Sequence, residues 1–274
     1  MAVEYVLGHT HRELDRLDLQ GLIYRDVTER AFTDAGLRPG MRVLDLGCGS
    51  GDVSRLAAKQ VGPEGSVLGV DLDASTVASA RRRSEDAGIS NTRFEQGDAT
   101  AFGHEGPFDA LVARFFLMHQ TDPGKVLAEA AKAIKPGGVV VMIESNMNSL
   151  LEGVHSFPHS SLFDEVVKWK SAVVGQVGAD LGAGMRLGQT FQEAGLPAPT
   201  MRFEAMVEAH GDSPVYRYMA ESVRSMLPMA QRHGIDGFTE ARINQLAAAL
   251  HAEVVEHGRV LMGWPVVAAW CRLP

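Results

Sequence analysis

The 274-residue sequence predicts an α/β fold built on a mostly parallel sheet, because short apolar runs alternate with stretches of helical spacing. The first apolar run, residues 43–46, breaks into three alternating glycines, and a second run, residues 66–71, ends in an acid. A chain of this length with 45% hydrophobic residues can bury one sizeable core. We therefore expect one decorated domain rather than two.

The turn after the first strand carries Gly47, Gly49 and Gly51 at alternate positions. Glycine costs conformational entropy in an ordered segment, so this alternation indicates a demand for unusual torsions or for close approach of a ligand to the backbone. Residues 52–59 then show helical spacing. A strand, a glycine turn and a helix together predict a nucleotide-binding opening.

The spacing of the glycines argues against two common nucleotide sites. The dinucleotide fingerprint would place its third glycine where this chain has Asp52, and a carboxylate there would face a pyrophosphate unfavourably. The P-loop requires a lysine followed by serine or threonine after the glycines, and no such pair follows Gly51 in this turn.

The pattern D-x-G-x-G-x-G at residues 45–51 resembles motif I of class I methyltransferases that depend on S-adenosyl-L-methionine (SAM). The resemblance covers residues 41–143 and includes the K-P-G-G turn at residues 135–138, a landmark of that family. It implies a Rossmann-like methyltransferase sheet that is mostly parallel and has an antiparallel last strand. It also implies SAM as the cofactor.

The same resemblance assigns the cofactor contacts. Asp71 ends the second strand, where a carboxylate can accept hydrogen bonds from both ribose hydroxyls. Asp98, in the turn after the third strand, would accept from the adenine amino group. The alternative for each of these two acids is a solvated carboxylate at a strand end. Asp45 is expected partly to hold the glycine turn. The predicted cofactor residues are Asp45, Gly47, Gly49, Gly51, Asp71, Leu72, Asp98, Ala99 and Arg114.

The later elements follow from the same alternation of helical spacing with short apolar runs. Prolines precede the sixth strand, and Pro265 is expected to mark the edge or start of the last one. The predicted elements are a helix at 75–87, strands at 92–96 and 108–113, a helix at 125–134, a strand at 139–143, a helix at 185–196, and strands at 201–208 and 263–270.

Catalysis in this family requires mainly geometry, because the sulfonium of SAM is already an activated methyl donor. A base can also remove a proton. His119 is the first candidate, because imidazole titrates near neutral pH and because an apolar stretch ending in His is typical of small-molecule methyltransferases. Its alternative role is to orient the loop. Glu144, just past the fifth strand, is the second candidate and is expected to point into the same mouth with a pKa raised by desolvation.

The segments outside the cofactor core are expected to determine the acceptor. Residues 1–36 are predicted to form a helical lid that brings Tyr24, the third catalytic candidate, near the reacting atoms. The alternative for Tyr24 is packing at a helix boundary. Residues 37–274 are predicted to form the SAM-binding domain, with helical cap insertions at 146–184 and 212–257.

The caps are rich in methionine and aromatic side chains, which adapt to flat, apolar ligands. As a group they favour a small apolar or heteroaromatic acceptor, although plain core packing is the more common role of any one such residue. Residues 175–188 are the candidate hinge. The cap residues concerned are Met147, Phe157, Phe163, Trp169, Met185, Met206, Met219, Met226 and Met229.

The composition of the chain argues against several classes of binding partner. The net charge of −8 argues against a broad nucleic-acid surface, since phosphate binding depends on clustered Lys and Arg. The one basic run, Arg81, Arg82 and Arg83, is expected to be a solvated helix face.

Two cysteines and scattered histidines predict neither a disulfide framework nor a metal site. The sequence shows no apolar run long enough to span a bilayer and no leader, so we expect a soluble, cytoplasmic protein without membrane partners.

These observations predict methyl transfer to a small natural product with an electron-rich aromatic or heteroaromatic ring. Residues 5–9 and 12–17 resemble the N-terminus of stand-alone actinobacterial enzymes that include indole C-methyltransferases, which implies attack by indole C3 and closure to a pyrroloindoline. Two alternatives stay open: O- or N-methylation of a phenol, quinol or amine, and a non-catalytic SAM-binding sensor. The caps also offer a surface for a homodimer, which no heptad pattern specifies.

Overall fold

The computed structural model of the protein describes residues 11–153 and 155–274. Its strands are β1 (Arg42–Leu46), β2 (Ser66–Asp71), β3 (Thr92–Gln96), β4 (Phe108–Arg114), β5 (Ile134–Ser145), β6 (Ser156–Phe157), β7 (Thr200–Glu204), β8 (Val207–Glu208), β9 (Val260–Met262) and β10 (Val266–Arg272). Its helices are α1 (His11–Ile23), α2 (Arg25–Ala35), α3 (Asp52–Val61), α4 (Ala74–Asp86), α5 (Pro123–Ala131), α6 (Asn148–Glu152), α7 (Ser161–Gln176), α8 (Ala183–Glu193), α9 (Val215–Arg232) and α10 (Glu240–Val255). Short 3-10 turns occupy Ala101–Glu105 and Leu117–His119.

Seven strands form one sheet in the order β3-β2-β1-β4-β5-β10-β7. β10 runs antiparallel to both β5 and β7, while the neighbouring pairs from β3 to β5 are parallel. The predicted fold class is therefore confirmed. The chain winds outward from β1 to β3 and then crosses to β4, so the strand order reverses between β1 and β4. Open α/β sheets bind ligands at such a point, beyond the carboxyl ends of the strands.

The central strands are almost completely buried, as expected where helices cover both faces of a parallel sheet. On one face, α2 and α3 pack together and α2 lies against β5 and β10. On the other face, α8 lies against β5 and β10 and contacts α5. This two-sided burial fixes the strand ends, which carry the residues of the site.

The two cap insertions join one another. Helix α7 of the first insertion packs against α9 of the second, and α1 also lies against α9. A small sheet in the order β6-β9-β8 links the first insertion to the two segments that flank the second. Residues 1–10 of the predicted N-terminal lid lie outside the described residues.

Several predicted boundaries are wrong for identifiable reasons. The helix expected at 125–134 begins at Pro123, because Asp122 caps it by accepting a hydrogen bond from the Lys125 backbone N–H and proline suits the first turn. The strand expected at 201–208 divides into β7 and β8, because β8 leaves the main sheet to pair with β9. The hinge expected at 175–188 is shorter, since α8 already begins at Ala183.

Candidate functional site

A single cavity of about 870 Å³ lies beyond the carboxyl ends of β1, β2 and β4. Its walls come from the glycine turn, the ends of β2 and β3, the segment after β4, helix α1 and both caps. This volume is near the upper end of the range of small-molecule sites, roughly 300–1,000 Å³. Nine of the predicted site residues line it: Tyr24, Gly47, Gly49, Asp71, Leu72, Asp98, Ala99, Arg114 and His119. Three predicted residues, Asp45, Gly51 and Glu144, are not among the lining residues.

The glycine turn needs glycine for two different reasons. Gly47, Gly49 and Gly51 all have positive φ, at 62°, 53° and 78°, a conformation that other residues adopt at a cost of about 1–2 kcal/mol. A Cβ on Gly47 would lie 2.6 Å from the Phe116 ring, and one on Gly51 would lie 2.9 Å from the Phe94 ring. A Cβ on Gly49 would meet no atom within 4 Å, because that position faces the open cavity.

Asp71 joins the end of β2 to the glycine turn. Its Oδ2 accepts a 3.0 Å hydrogen bond from the Gly49 backbone N–H, and its Oδ1 accepts one of 3.0 Å from the Asp73 backbone N–H. A carboxylate has about four acceptor positions, so these bonds orient the group and leave capacity for hydroxyl donors. This geometry suits the predicted ribose contact.

Beyond Asp71, the cavity wall changes from polar to apolar. Leu72 is 59% exposed, which is unusual for a leucine unless a ligand covers it. Asp98 Oδ1 accepts hydrogen bonds from the Thr100 hydroxyl, at 2.5 Å, and from the Thr100 backbone N–H, at 2.8 Å. These bonds lower the pKa of Asp98, which therefore stays ionised as an acceptor. Ala99 lies in the same wall, so this end has the shape and polarity for an adenine ring.

Asp45 lies beneath the glycine turn and is 1% exposed. Its Oδ2 accepts a 2.5 Å hydrogen bond from the Ser54 hydroxyl on α3, which ties the strand before the turn to the helix after it. Its Oδ1 has no hydrogen-bond partner among the described residues. Burial raises the pKa of this carboxyl to about 8, and the nearby charges of Asp52 and Asp71 act in the same direction.

Arg114, at the end of β4, connects the N-terminal helices to the cofactor end. Its guanidinium donates to the Asp52 carboxylate, and its Nη1 donates a 3.0 Å hydrogen bond to the Thr28 hydroxyl on α2. The guanidinium carbon also lies 6.0 Å from the centre of the Tyr24 ring and 5.6 Å from that of Phe115. These protein partners already hold both Nη groups, so Arg114 organises the wall that it lines.

His119 lines the cavity where the 3-10 turn after β4 ends. Desolvation by burial, with a further effect from the positive charge of Arg16, lowers the pKa of His119 to about 4. The imidazole is therefore neutral near pH 7 and has a nitrogen that can accept a proton, but it is a weaker base than an ordinary imidazole.

Glu144 differs from its prediction. It is 0% exposed, and its carboxylate does not point into the cavity mouth. Oε1 accepts hydrogen bonds from the backbone N–H groups of Phe116, at 2.9 Å, and Leu117, at 2.6 Å, while Oε2 accepts from Met118 at 3.4 Å. Burial raises the pKa of Glu144 to about 7. Its neighbour Ser145 lines the cavity instead, because successive strand residues point in opposite directions.

Tyr24 occupies the junction between α1 and α2 and is 3% exposed. Its hydroxyl lies 3.5 Å from the Trp264 carbonyl oxygen, to which it donates, and its ring meets Phe115 edge-on at 5.0 Å between centres. Burial raises the pKa of the phenol well above its ordinary value. Tyr24 is therefore a neutral donor near the site rather than a base.

One group of side chains on the cap side of the cavity was not predicted from the sequence. Lys170 of α7 lines the cavity together with Tyr218 of α9 and Trp264, and Arg16 of α1 lies in the same wall. These residues come from four distant parts of the chain, and helical spacing alone predicted only apolar faces on the helices that carry them. The burial of Lys170 and Arg16 depends on tertiary contacts, so it could not be predicted from the sequence.

The residues present fit SAM. An open glycine position, a strand-end carboxylate and an exposed leucine supply backbone approach, ribose acceptors and an apolar wall in one cavity. The carboxylates of Asp71 and Asp98 line this end of the cavity, and their negative charge suits the positively charged groups of SAM. Across the described residues, no three His, Cys, Asp or Glu side chains are grouped so that they could hold a metal ion. No helix in residues 11–153 or 155–274 has both the length and the apolar character needed to cross a bilayer.

Two curated relatives align with part of the chain. An uncharacterized 37.1 kDa protein in transposon TN4556 of Streptomyces fradiae is 34% identical over 165 residues, which cover 60% of this chain and 46% of that protein. The ubiquinone/menaquinone biosynthesis C-methyltransferase UbiE of Teredinibacter turnerae is 34% identical over 158 residues, which cover 54% of this chain and 64% of the relative. The match thus spans about half to two thirds of the length of these relatives.

A solved structure and a family model also match this chain. The YcgJ protein from Bacillus subtilis has the same fold, with a TM-score of 0.56 at 17% sequence identity over 91% of this chain and 98% of that one. The family model of the methyltransferase domain matches residues 37–195, more than half of the chain. The chain therefore belongs to the methyltransferase-domain family of enzymes that use S-adenosyl-L-methionine.

Proposed function

We propose that this protein transfers the methyl group of SAM to a carbon atom of a small aromatic or heteroaromatic compound. The observation that carries the proposal is the continuity of the cavity, which joins the glycine turn and Asp71 to a chamber of aromatic and methionine side chains. The chamber is lined by Tyr24, Phe115, Phe116, Met118, Met147, Tyr218, Met226 and Trp264. Flat aromatic ligands pack well against such side chains, and the large volume leaves room for a cofactor and an acceptor together.

The relative named as a C-methyltransferase supports carbon as the attacked atom. The finer proposal is that indole C3 of a tryptophan-derived natural product is methylated. In this reaction C3 forms a bond to the methyl carbon as the carbon–sulfur bond breaks, which leaves S-adenosylhomocysteine and an iminium at C2. A nearby amide nitrogen then bonds to C2 and loses its proton, which gives the pyrroloindoline.

The protein's own groups contribute orientation and proton transfer. SAM supplies an activated methyl group on a positively charged sulfur. The aromatic chamber excludes water and holds the acceptor ring in line with that group, which accounts for most of the rate gain in such a transfer. Neutral His119 lines the chamber and is the proposed proton acceptor. The Tyr24 hydroxyl, which donates to the Trp264 carbonyl oxygen, can accept a hydrogen bond from the methyl acceptor, and Glu144 positions the turn that carries His119.

Mass spectrometry of the purified protein tests the proposal directly. We would incubate it with SAM and a panel of indoles, tryptophan-derived cyclodipeptides, phenols, quinols and amines, and follow S-adenosylhomocysteine beside a gain of one methyl group. Methylation at carbon supports the proposal, and methylation of indole C3 with ring closure supports its finer form. Methylation only at oxygen or nitrogen contradicts carbon transfer. Binding of S-adenosylhomocysteine without turnover on any acceptor class would favour a sensor.

A further inference from the structure

Lys170 carries a buried amino group on the cap side of the cavity. It is 2% exposed, and its Nζ lies 3.7 Å from the centre of the Trp264 ring and 5.2 Å from that of Tyr218. Its hydrogen-bond acceptor is the Met219 sulfur, at 3.7 Å. In the described part of the chain, no carboxylate pairs with this amino group.

This environment compensates poorly for the charge. A thioether is a weak acceptor, and the attraction between a cation and an aromatic face is smaller than the cost of burying an unpaired ammonium. Burial lowers the pKa of Lys170 well below its ordinary value, and the positive charge of Arg16 lowers it further. A methionine or leucine would fill the same space without this penalty, so packing alone does not explain a lysine here.

The cavity has opposite charges at its two ends. Asp71 and Asp98 line the end of the cavity beside the glycine turn, where the positively charged cofactor fits. Lys170 and Arg16 lie in the wall formed by the caps and α1, beside Tyr218 and Trp264. Because the cofactor end is acidic, the buried amine at the other end is suited to a different ligand, and that ligand occupies the aromatic chamber.

We propose that Lys170 binds an anionic oxygen of the methyl acceptor, either a carboxylate or an ionised hydroxyl group. This inference rests on the proposed function and specifies its substrate class. With an acidic hydroxyl, the neutral amine takes the proton and leaves an ammonium paired with an oxyanion, which makes the ring more electron-rich. With a carboxylate, the amine takes a proton from solvent and pairs with the anion. In both cases the ligand supplies the counter-ion that the protein lacks at this position.

Ligand binding to the protein saturated with S-adenosylhomocysteine tests the inference without turnover. We would titrate naphthalene-1-carboxylate and naphthalene-1-carboxamide, which have similar shapes and differ in charge. We would also titrate 4-nitrophenol and follow the visible absorbance of its phenolate. The variants are Lys170→Met, which keeps the length of the side chain, and Lys168→Met as a control. Lys168 lies on the same helix with a 65% exposed side chain paired to Asp164.

We expect the unsubstituted protein and Lys168→Met to bind the carboxylate at least about tenfold more tightly than the amide, or to ionise bound 4-nitrophenol below its ordinary pKa. A response to the carboxylate alone indicates a carboxylated acceptor, and a response to the phenol alone indicates a hydroxylated one. Lys170→Met should lose the preference for the carboxylate and the effect on the ionisation of 4-nitrophenol. It should also unfold at the same or a higher temperature, because a buried unpaired charge is removed.

Three results would overturn the inference. The first is an equal affinity for carboxylate and amide together with ordinary ionisation of 4-nitrophenol. The second is a preference that survives in Lys170→Met. The third is a loss of S-adenosylhomocysteine affinity in Lys170→Met with the probe preference intact, since the amine would then serve the cofactor. None of these readouts needs methyl transfer, so failure of the proposed reaction and failure of this inference are distinguishable.

Discussion

The Glu144 carboxylate accepts a 2.6 Å hydrogen bond from the backbone N–H of Leu117. This bond fixes the 3-10 turn at the end of β4 to the neighbouring strand β5. His119 ends the same turn, so the position of the imidazole depends on a carboxylate that does not line the cavity.

Replacing Glu144 tests this positioning role. Glu144→Ala leaves two buried N–H groups without an acceptor and should lower the free energy of unfolding by on the order of 3 kcal/mol. Glu144→Gln keeps an acceptor oxygen and should lose about 1 kcal/mol. We expect kcat to fall more in the alanine variant while S-adenosylhomocysteine affinity stays constant. Chemical unfolding measures the stability, methyl transfer measures kcat, and calorimetric titration measures the affinity for S-adenosylhomocysteine. Equal stability of the two variants would contradict the proposed role.

Removing one oxygen acceptor of Asp71 tests the ribose assignment. Asp71→Asn keeps one acceptor for the glycine turn but loses the charge, so S-adenosylhomocysteine affinity should fall about tenfold to a hundredfold. The control is Asp86→Asn on α4, where the side chain is exposed and outside the cavity. Calorimetric titration gives the affinities, and an unchanged Kd in Asp71→Asn would rule out the ribose contact.

Gly49 and Gly40 form a matched pair. Both have positive φ, and a Cβ on either residue would meet no atom within 4 Å. Gly49→Ala and Gly40→Ala should therefore each cost about 1–2 kcal/mol of stability. Only Gly49 faces the cavity, so only Gly49→Ala should weaken S-adenosylhomocysteine binding, by about tenfold or more. If both variants bind alike, close backbone approach at Gly49 is not required.

Buried carboxyl groups should make the protein less stable as the pH rises. Burial raises the pKa of Glu144 to about 7 and that of Asp45 to about 8. The folded state therefore keeps protons that the unfolded chain releases near pH 4, and the associated stability is lost as the pH rises through 7 and 8. The urea concentration at the midpoint of unfolding should decrease as the pH rises from about 5 to about 8.5. This decrease should be less steep in Asp45→Asn. An equally steep pH dependence in Asp45→Asn and the unsubstituted protein would contradict the assignment.

His119 should stay neutral across the working pH range, because its pKa is lowered to about 4. The pH profile of kcat should therefore show no inflection near the ordinary imidazole pKa. His119→Ala should lower kcat by about a hundredfold or more, as for loss of a general base, and should change KM little. A rise in KM with kcat retained would instead assign His119 to acceptor binding.

The cofactor end could be predicted because its residues lie where parallel strands end. The bounds of β2 and β3 match their predictions, and Asp71 and Asp98 line the same cavity although they are far apart in sequence. The alternating glycines predicted unusual torsions, and all three have positive φ. These features are local, so spacing along the chain was sufficient.

The acceptor end could not be predicted in the same way. For Glu144, the sequence placed a carboxylate at the end of a strand but did not define which side of the strand it faces. For Lys170, the burial results from α7, α9 and the residues before β10 meeting around one amine. Helical periodicity indicates that a helix has an apolar face, and it contains no information about which distant element covers that face.

The antiparallel strand β10 has a consequence for how the protein is made. It lies between β5 and β7, and β7 pairs with no other strand of the sheet as described. During synthesis β5 and β7 therefore each present an open edge until residues 266–272, which form β10, leave the ribosome. Exposed strand edges promote aggregation, and long-range pairings form slowly. The nascent chain has its cofactor end complete well before its sheet is closed, so early binding of cofactor could protect it during that interval.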